Sequence, residues 1–205
     1  AMSDIYVGSV NWIRSTNSQA YEFWRKPNHL LYRPLSCNSF GMKYLCDPHI
    51  LPTNTCPPDL AELEKRTAAA LSFAPEIQLD AADGAFAPVT SWPYLEDQWG
   101  DLEKMAEEGT RLPHAESIVY EAHLMVIEPR AIGTLFAKVG CTRILPHVET
   151  LKGKDDAATM FAEWKAAGAK EVGVSMLLDT PLTALEPYAE MCDVVQLMSI
   201  GKIGA

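Results

Sequence analysis

Four apolar runs in the chain, SIVYEAHLMV (117–126), TRILPHVE (142–149), EVGVSMLL (171–178) and DVVQLMSI (193–200), are too continuous to leave one face wet. A strand of that pattern has to be covered on both sides, and a parallel sheet flanked by helices does so. Amphipathic segments separate the runs. DLAELEKRTAAAL (59–71) opens on Asp59 with Glu62 three residues later, a capping-box start, and sets Leu60, Leu63, Thr67 and Leu71 on one face. EPRAIGTLFAKVG (128–140) has Pro129 in its first turn and stops at Gly140, and DDAATMFAEWKAAG (155–168) closes on Gly168. DTPLTALEPYAEM (179–191) predicts a further helix that starts at Thr180 and Pro181 and is bent or shortened by Pro187. Strand and helix alternate with a period of about 22 to 30 residues, the rhythm of a βα-repeat protein.

A closed eightfold barrel and an open doubly wound sheet both have this rhythm, and the polar residues separate them. Asp80 and Asp83 follow IQL, His123 follows YEA, His147 and Glu149 follow ILP, and Ser199 follows QLM. Strand ends that converge on one mouth bring such residues together in a barrel. A doubly wound sheet commonly carries a glycine-rich first turn, and no G-x-G-x-x-G occurs. The expected fold is therefore α/β, a TIM (β/α)8-type barrel.

With 205 residues, 48% of them hydrophobic, the chain suits one large domain. A net charge of −10, with Lys and Arg scattered singly, argues against nucleic acid as a partner. No apolar run approaches the roughly 18 residues of a membrane span and no signal core opens the chain, so the expectation is a cytoplasmic protein without membrane contact. The 5 cysteines lack a CxxC pair, which favours reduced thiols over a disulfide framework or zinc knuckle.

Asp80 and His123 stand at the ends of two expected neighbouring strands. Each alone fits a turn aspartate or a satisfied core imidazole. Together they are suitable donors for a divalent metal, and Gln78, two before Asp80, points to the same side by strand alternation. Asp83 with Gly84 reads as a tight turn.

IQLDAADGAFAPVTSWP (77–93), followed by YEAHLMVIEPRAIGTLFAKVG (120–140), resembles the ribulose-phosphate 3-epimerase family, with its H-x-D-x-M-D-G-x-F-V-P and D-x-H-L-M-V strands. Pro52-Thr53, His147, TPLTALEPY and DVVQLMSI extend the resemblance over residues 49–200. It implies a ketose-phosphate epimerase with a divalent metal (zinc, manganese or iron) at the barrel mouth and a sugar phosphate as its small-molecule partner. Asp80 is then metal ligand and acid/base and His123 a metal ligand, with Gln78 offering a weak carbonyl ligand or a hydrogen bond. Thr53, Met125, His147 and Met198 border the substrate, although core packing explains the two methionines equally well.

The sequence departs from the family pattern in several places. Gln78 replaces a metal-binding histidine, Ala82 replaces a methionine, GKIGA (201–205) replaces the N-P-G-F loop, and no seventh strand carries the second catalytic aspartate. The barrel is accordingly expected to be incomplete in this chain, with units one to six over 49–205 and weak or no turnover. Residues 3–25 resemble the family's last strand and helix, with Gly8-Ser9 gripping the phosphate, which implies a permuted order with the seventh unit beyond Ala205. Within the N-terminal segment 1–48, residues 26–48 read as an irregular connector. Open strand edges beside the gap predict a homo-oligomer. The alternative to an epimerase is an impaired epimerase-like barrel that binds a sugar phosphate or serves as a scaffold. A third reading keeps isomerase chemistry with a different substrate.

Overall fold

The computed structural model describes residues 6–12, 14–15, 35–37, 44–46, 49–96 and 98–198, with side-chain environments from residue 51 onward. In chain order its strands and helices are β1 (Tyr6–Trp12), β2 (Arg14–Ser15), β3 (Leu35–Cys37), β4 (Tyr44–Cys46), β5 (His49–Asn54), α1 (Leu60–Ala70), β6 (Glu76–Ala82), α2 (Gln98–Glu108), β7 (Val119–Met125), α3 (Pro129–Lys138), β8 (Cys141–Pro146), α4 (Lys154–Ala167), β9 (Glu171–Met176) and β10 (Val194–Leu197). β5 to β10 are the six parallel strands of an incomplete TIM-type α/β barrel. β1 lies between β10 and β5 and closes the sheet.

Alternation along the strands builds two interiors. Ile77, Leu79 and Ala81 of β6, Tyr120, Ala122 and Leu124 of β7, and Val172, Val174 and Met176 of β9 pack with Ile132, Phe136, Phe161 and Trp164 in the core between sheet and helices. The intervening residues point into the lumen. At the lumen floor Arg143 donates to Glu121 at 2.9 Å, to Glu76 at 3.3 Å and to Glu171 at 2.7 Å, tying four strands together. Burial alone would lower the Arg143 pKa, but the three carboxylates outweigh it and hold the guanidinium charged.

Helix ends follow local chemistry. Asp59 accepts the Glu62 backbone N–H at 2.7 Å, the forward half of the expected capping box, while Glu62 turns instead to Lys65 and Arg66. Pro129 opens α3 and Gly168, at φ 129°, ends α4.

Three expectations need correction. The segment at 179–191 is not one helix but two short 3₁₀ turns, Leu182–Leu185 and Ala189–Met191, with Pro187, which lacks an N–H, between them. Residues 26–48 are not wholly irregular, because β3 and β4 pair antiparallel and β2 joins them in a small sheet. β1 runs antiparallel to both β10 and β5, so it does not take the course of a barrel's last parallel strand, and it covers the two edges whose exposure was expected to drive self-association. The helix expected after Gly8-Ser9 lies outside the described residues, as do Ser199 and GKIGA. Among the described residues no helix is long and apolar enough to cross a membrane.

Gly173 marks a close approach of β9 to β10. A Cβ there would overlap the Val194 carbonyl of β10 and lie 2.9 Å from Leu145 Cδ2. Gly173→Ala should therefore cost about 3 kcal/mol of unfolding free energy, the upper end for overpacking. Urea denaturation reads this directly, and an unchanged midpoint would contradict the close approach.

Candidate functional site

β6 and β7 pair in register from Glu76↔Val119 to Ala82↔Met125, which sets Asp80 opposite His123. Their side chains meet, with His123 Nδ1 3.0 Å from Asp80 Oδ1. Asp80 is 8% exposed and His123 1%, so the pair sits at the mouth with only the carboxylate reaching outward. Asp83 has the structural role that its turn sequence suggests. Its Oδ1 accepts the N–H groups of Ala85 and Phe86, and its Oδ2 accepts Ile127 N–H, holding the loops after β6 and β7 together. Gly84, at φ 78°, makes that turn possible.

The polar chain continues beyond the pair. His123 Nε2 lies 2.9 Å from His147 Nε2, and His147 Nδ1 lies 3.1 Å from Glu149 Oε2. Glu149 also accepts the Leu177 N–H and the Thr180 hydroxyl. Burial raises the Glu149 pKa, but these donors more than reverse that and bring it to about 2. Burial is the main cause that lowers His147 to about 4. His147 is thus a neutral imidazole that donates Nδ1–H to an ionised carboxylate and accepts at Nε2. His123 therefore donates from Nε2, and a single proton is shared in its Nδ1 contact with Asp80.

A second chain crosses the lumen. Thr53 Oγ1 donates to Gln78 Oε1 at 3.3 Å, Gln78 Nε2 donates to Gln196 Oε1 at 3.2 Å, and Gln196 Nε2 reaches Met198 Sδ at 3.7 Å. Met125, Met198, Ala82 and Ala87 form an apolar cluster with Phe86 and Leu177 packed on it. The Phe86 ring stands 4.6 Å from that of His147. Cys56 is held up at about 12 by burial and by the nearby Asp80 charge, so its thiol stays protonated at neutral pH.

Of the residues singled out in the sequence, Asp80, His123 and His147 are in one connected group, and Thr53, Gln78 and Met198 belong to the other. Met125 is buried in the apolar cluster. Both ring nitrogens of His147 are used within the chain, so it can act on a ligand only through His123. Gly8-Ser9 lie inside β1, at the register shift between Val7 and Ser9. Because β1 runs antiparallel, the reasoning that made them a phosphate grip at a strand's C-terminal end does not carry over. Sequence reasoning missed Ser175 and Gln196, which share a register pair between β9 and β10; alternation within EVGVSM and DVVQLM is the signal that could have found them.

The donor set tests the implied metal. Among the described residues no group of three or more His, Cys, Asp or Glu side chains is arranged to hold an ion. Asp80 and His123 are two suitable donors bonded to each other, and Gln78 Oε1 accepts from Thr53. Two donors fall short of the three or four protein ligands such an ion takes, so the described residues do not fit it.

The sequence profile of the Ribulose-phosphate 3 epimerase family matches residues 59–202. A ribulose-phosphate 3-epimerase from Synechocystis sp. is 30% identical over 125 residues, which cover 60% of this chain and 48% of that protein. The chain thus spans about half the length of this curated relative.

The pKa directions set the acid response. His147 has a folded pKa of about 4 against 6.5, so its share of stability is complete above pH 6.5 and is lost as pH falls toward 4. Glu149, at about 2 against 4.5, adds stability above pH 4.5 that is lost toward pH 2. Urea midpoints should therefore drop on acidification between pH 6.5 and 4, and His147→Gln should flatten that slope. Equal slopes for the two proteins would contradict the assignment.

Proposed function

Because the chain belongs to the ribulose-phosphate 3-epimerase family, we propose that it moves a proton at the carbon beside the carbonyl of a ketose phosphate such as ribulose 5-phosphate, with Asp80 as the acid/base. One observation carries this reading: a carboxylate at the mouth of a barrel, 3.0 Å from an imidazole nitrogen whose orientation is fixed from behind by His147 and Glu149. With the shared proton on His123, Asp80 is a carboxylate and takes the substrate proton. As a carboxylic acid it then returns it. On this reading Thr53, Met125 and Met198 would contact the sugar, and Gly8-Ser9 remain a proposed substrate contact. A divalent metal, as the resemblance implies, would find only Asp80 and His123 as donors among the described residues, short of a full ligand set.

Epimerisation takes a proton from one face of the carbon and returns one to the other. Among the described residues Glu76, Glu121 and Glu171 are at the floor with Arg143, and Glu149 is held by His147, Leu177 and Thr180. A single acid/base on one face exchanges the proton with solvent more readily than it inverts the carbon. In D2O, ribulose 5-phosphate should therefore gain deuterium at C3 faster than xylulose 5-phosphate forms, as followed by proton NMR. Asp80→Asn should slow the exchange by about 10²- to 10⁴-fold. Exchange undiminished in that variant would reject Asp80 as the acid/base.

A further inference from the structure

β9 delivers a polar group to the lumen that nothing above uses. Val172, Val174 and Met176 face the helices, so Gly173 and Ser175 face the lumen. Ser175 is fully buried, and its Oγ has no hydrogen-bond partner among the described residues. It is paired in register with Gln196 on one side and bridges to His147 on the other, between the two polar chains of the mouth. Gln196 is also fully buried, and its Nε2 contact beside this position is Met198 Sδ at 3.7 Å. A thioether is a weak acceptor, and a buried hydroxyl without a partner carries a desolvation cost that native proteins seldom leave unanswered.

Resting on the epimerase reading, we propose that Ser175 Oγ and Gln196 Nε2 together receive a hydroxyl group of the ketose phosphate's carbon chain. The ligand oxygen accepts a hydrogen bond from Gln196 Nε2–H in place of Met198 Sδ, and its own O–H donates to Ser175 Oγ. Met198 is unbranched and can swing aside to admit it. The register pair Ser175↔Gln196 sets both groups at one level of the lumen. The site thus reads a hydroxylated carbon skeleton from the side of the lumen away from Asp80, and Ser175 is a specificity residue rather than a proton carrier.

The test is the affinity of the full chain for ribulose 5-phosphate by isothermal titration calorimetry, read beside the Tm of the ligand-free protein. Ser175→Ala should bind about tenfold more weakly, the upper range for one lost hydrogen bond. Its ligand-free Tm should be unchanged or higher, because an unpartnered buried hydroxyl has been removed. Ser175→Cys, which nearly preserves volume, should show the same loss of affinity and carries the test if the alanine variant is unstable. Wild-type affinity in a stably folded Ser175→Ala or Ser175→Cys protein would overturn the proposal alone, leaving Ser175 with an ordered water as its partner. No binding of ribulose 5-phosphate by the wild type would overturn the epimerase reading and this inference with it.

Discussion

Register between β6 and β7 is the constraint on which the site depends. Side chains alternate along a strand, so a slip of one residue would send Asp80 into the helix-facing core and bring Leu79 or Ala81 into the lumen. Two devices hold the register. Apolar residues on the outer face of both strands fit the same core, where Leu79, Ala81, Ala122 and Leu124 are fully buried. At the mouth, Asp83 clamps the two loops through its bonds to Phe86 and Ile127. The two aspartates of one short stretch thus divide the work, one holding the frame and the other presented to the ligand.

The lumen is layered by charge. Arg143 and its three carboxylates neutralise one another at the floor, neutral amides and a hydroxyl occupy the middle, and the acid–imidazole chain reaches the mouth. Breaking a buried ion cluster of this kind by removing one partner typically costs about 3–5 kcal/mol, which makes the floor a rigid base for the groups above it. The neutral middle suits a polyol better than an anion. The replacement of a ligating histidine by Gln78 follows the same pattern, because its amide is used to join β5, β6 and β10 across the lumen.

Much of this arrangement was legible in the sequence because burial on both faces writes itself as continuous apolar runs. β7 to β10 and helices α1, α3 and α4 follow that signal, and the neighbourhood of Asp80 and His123 follows from strand order. Helix α2 was not legible: only Leu102 and Met105 are buried along it and Gly100 interrupts it, so it shows no broad stripe. The direction of β1 could not be read either, since an apolar strand looks the same whether it runs with or against its neighbours. The contact between His123 and His147 joins strands 24 residues apart, and local pattern has no means of reporting it. Ser175 escaped notice because alternation marks it as lumen-facing but does not show that its hydroxyl has no partner among the described residues.

The shared geometry of the mouth can be read most directly by nitrogen NMR of the histidine side chains in the ¹⁵N-labelled protein. A nitrogen–nitrogen coupling across the hydrogen bond between His123 Nε2 and His147 Nε2 should be observed, and the His123 Nδ1 resonance should move when Asp80 is changed to Asn. Ordered imidazoles that show no such coupling, with a His123 signal indifferent to residue 80, would contradict the account.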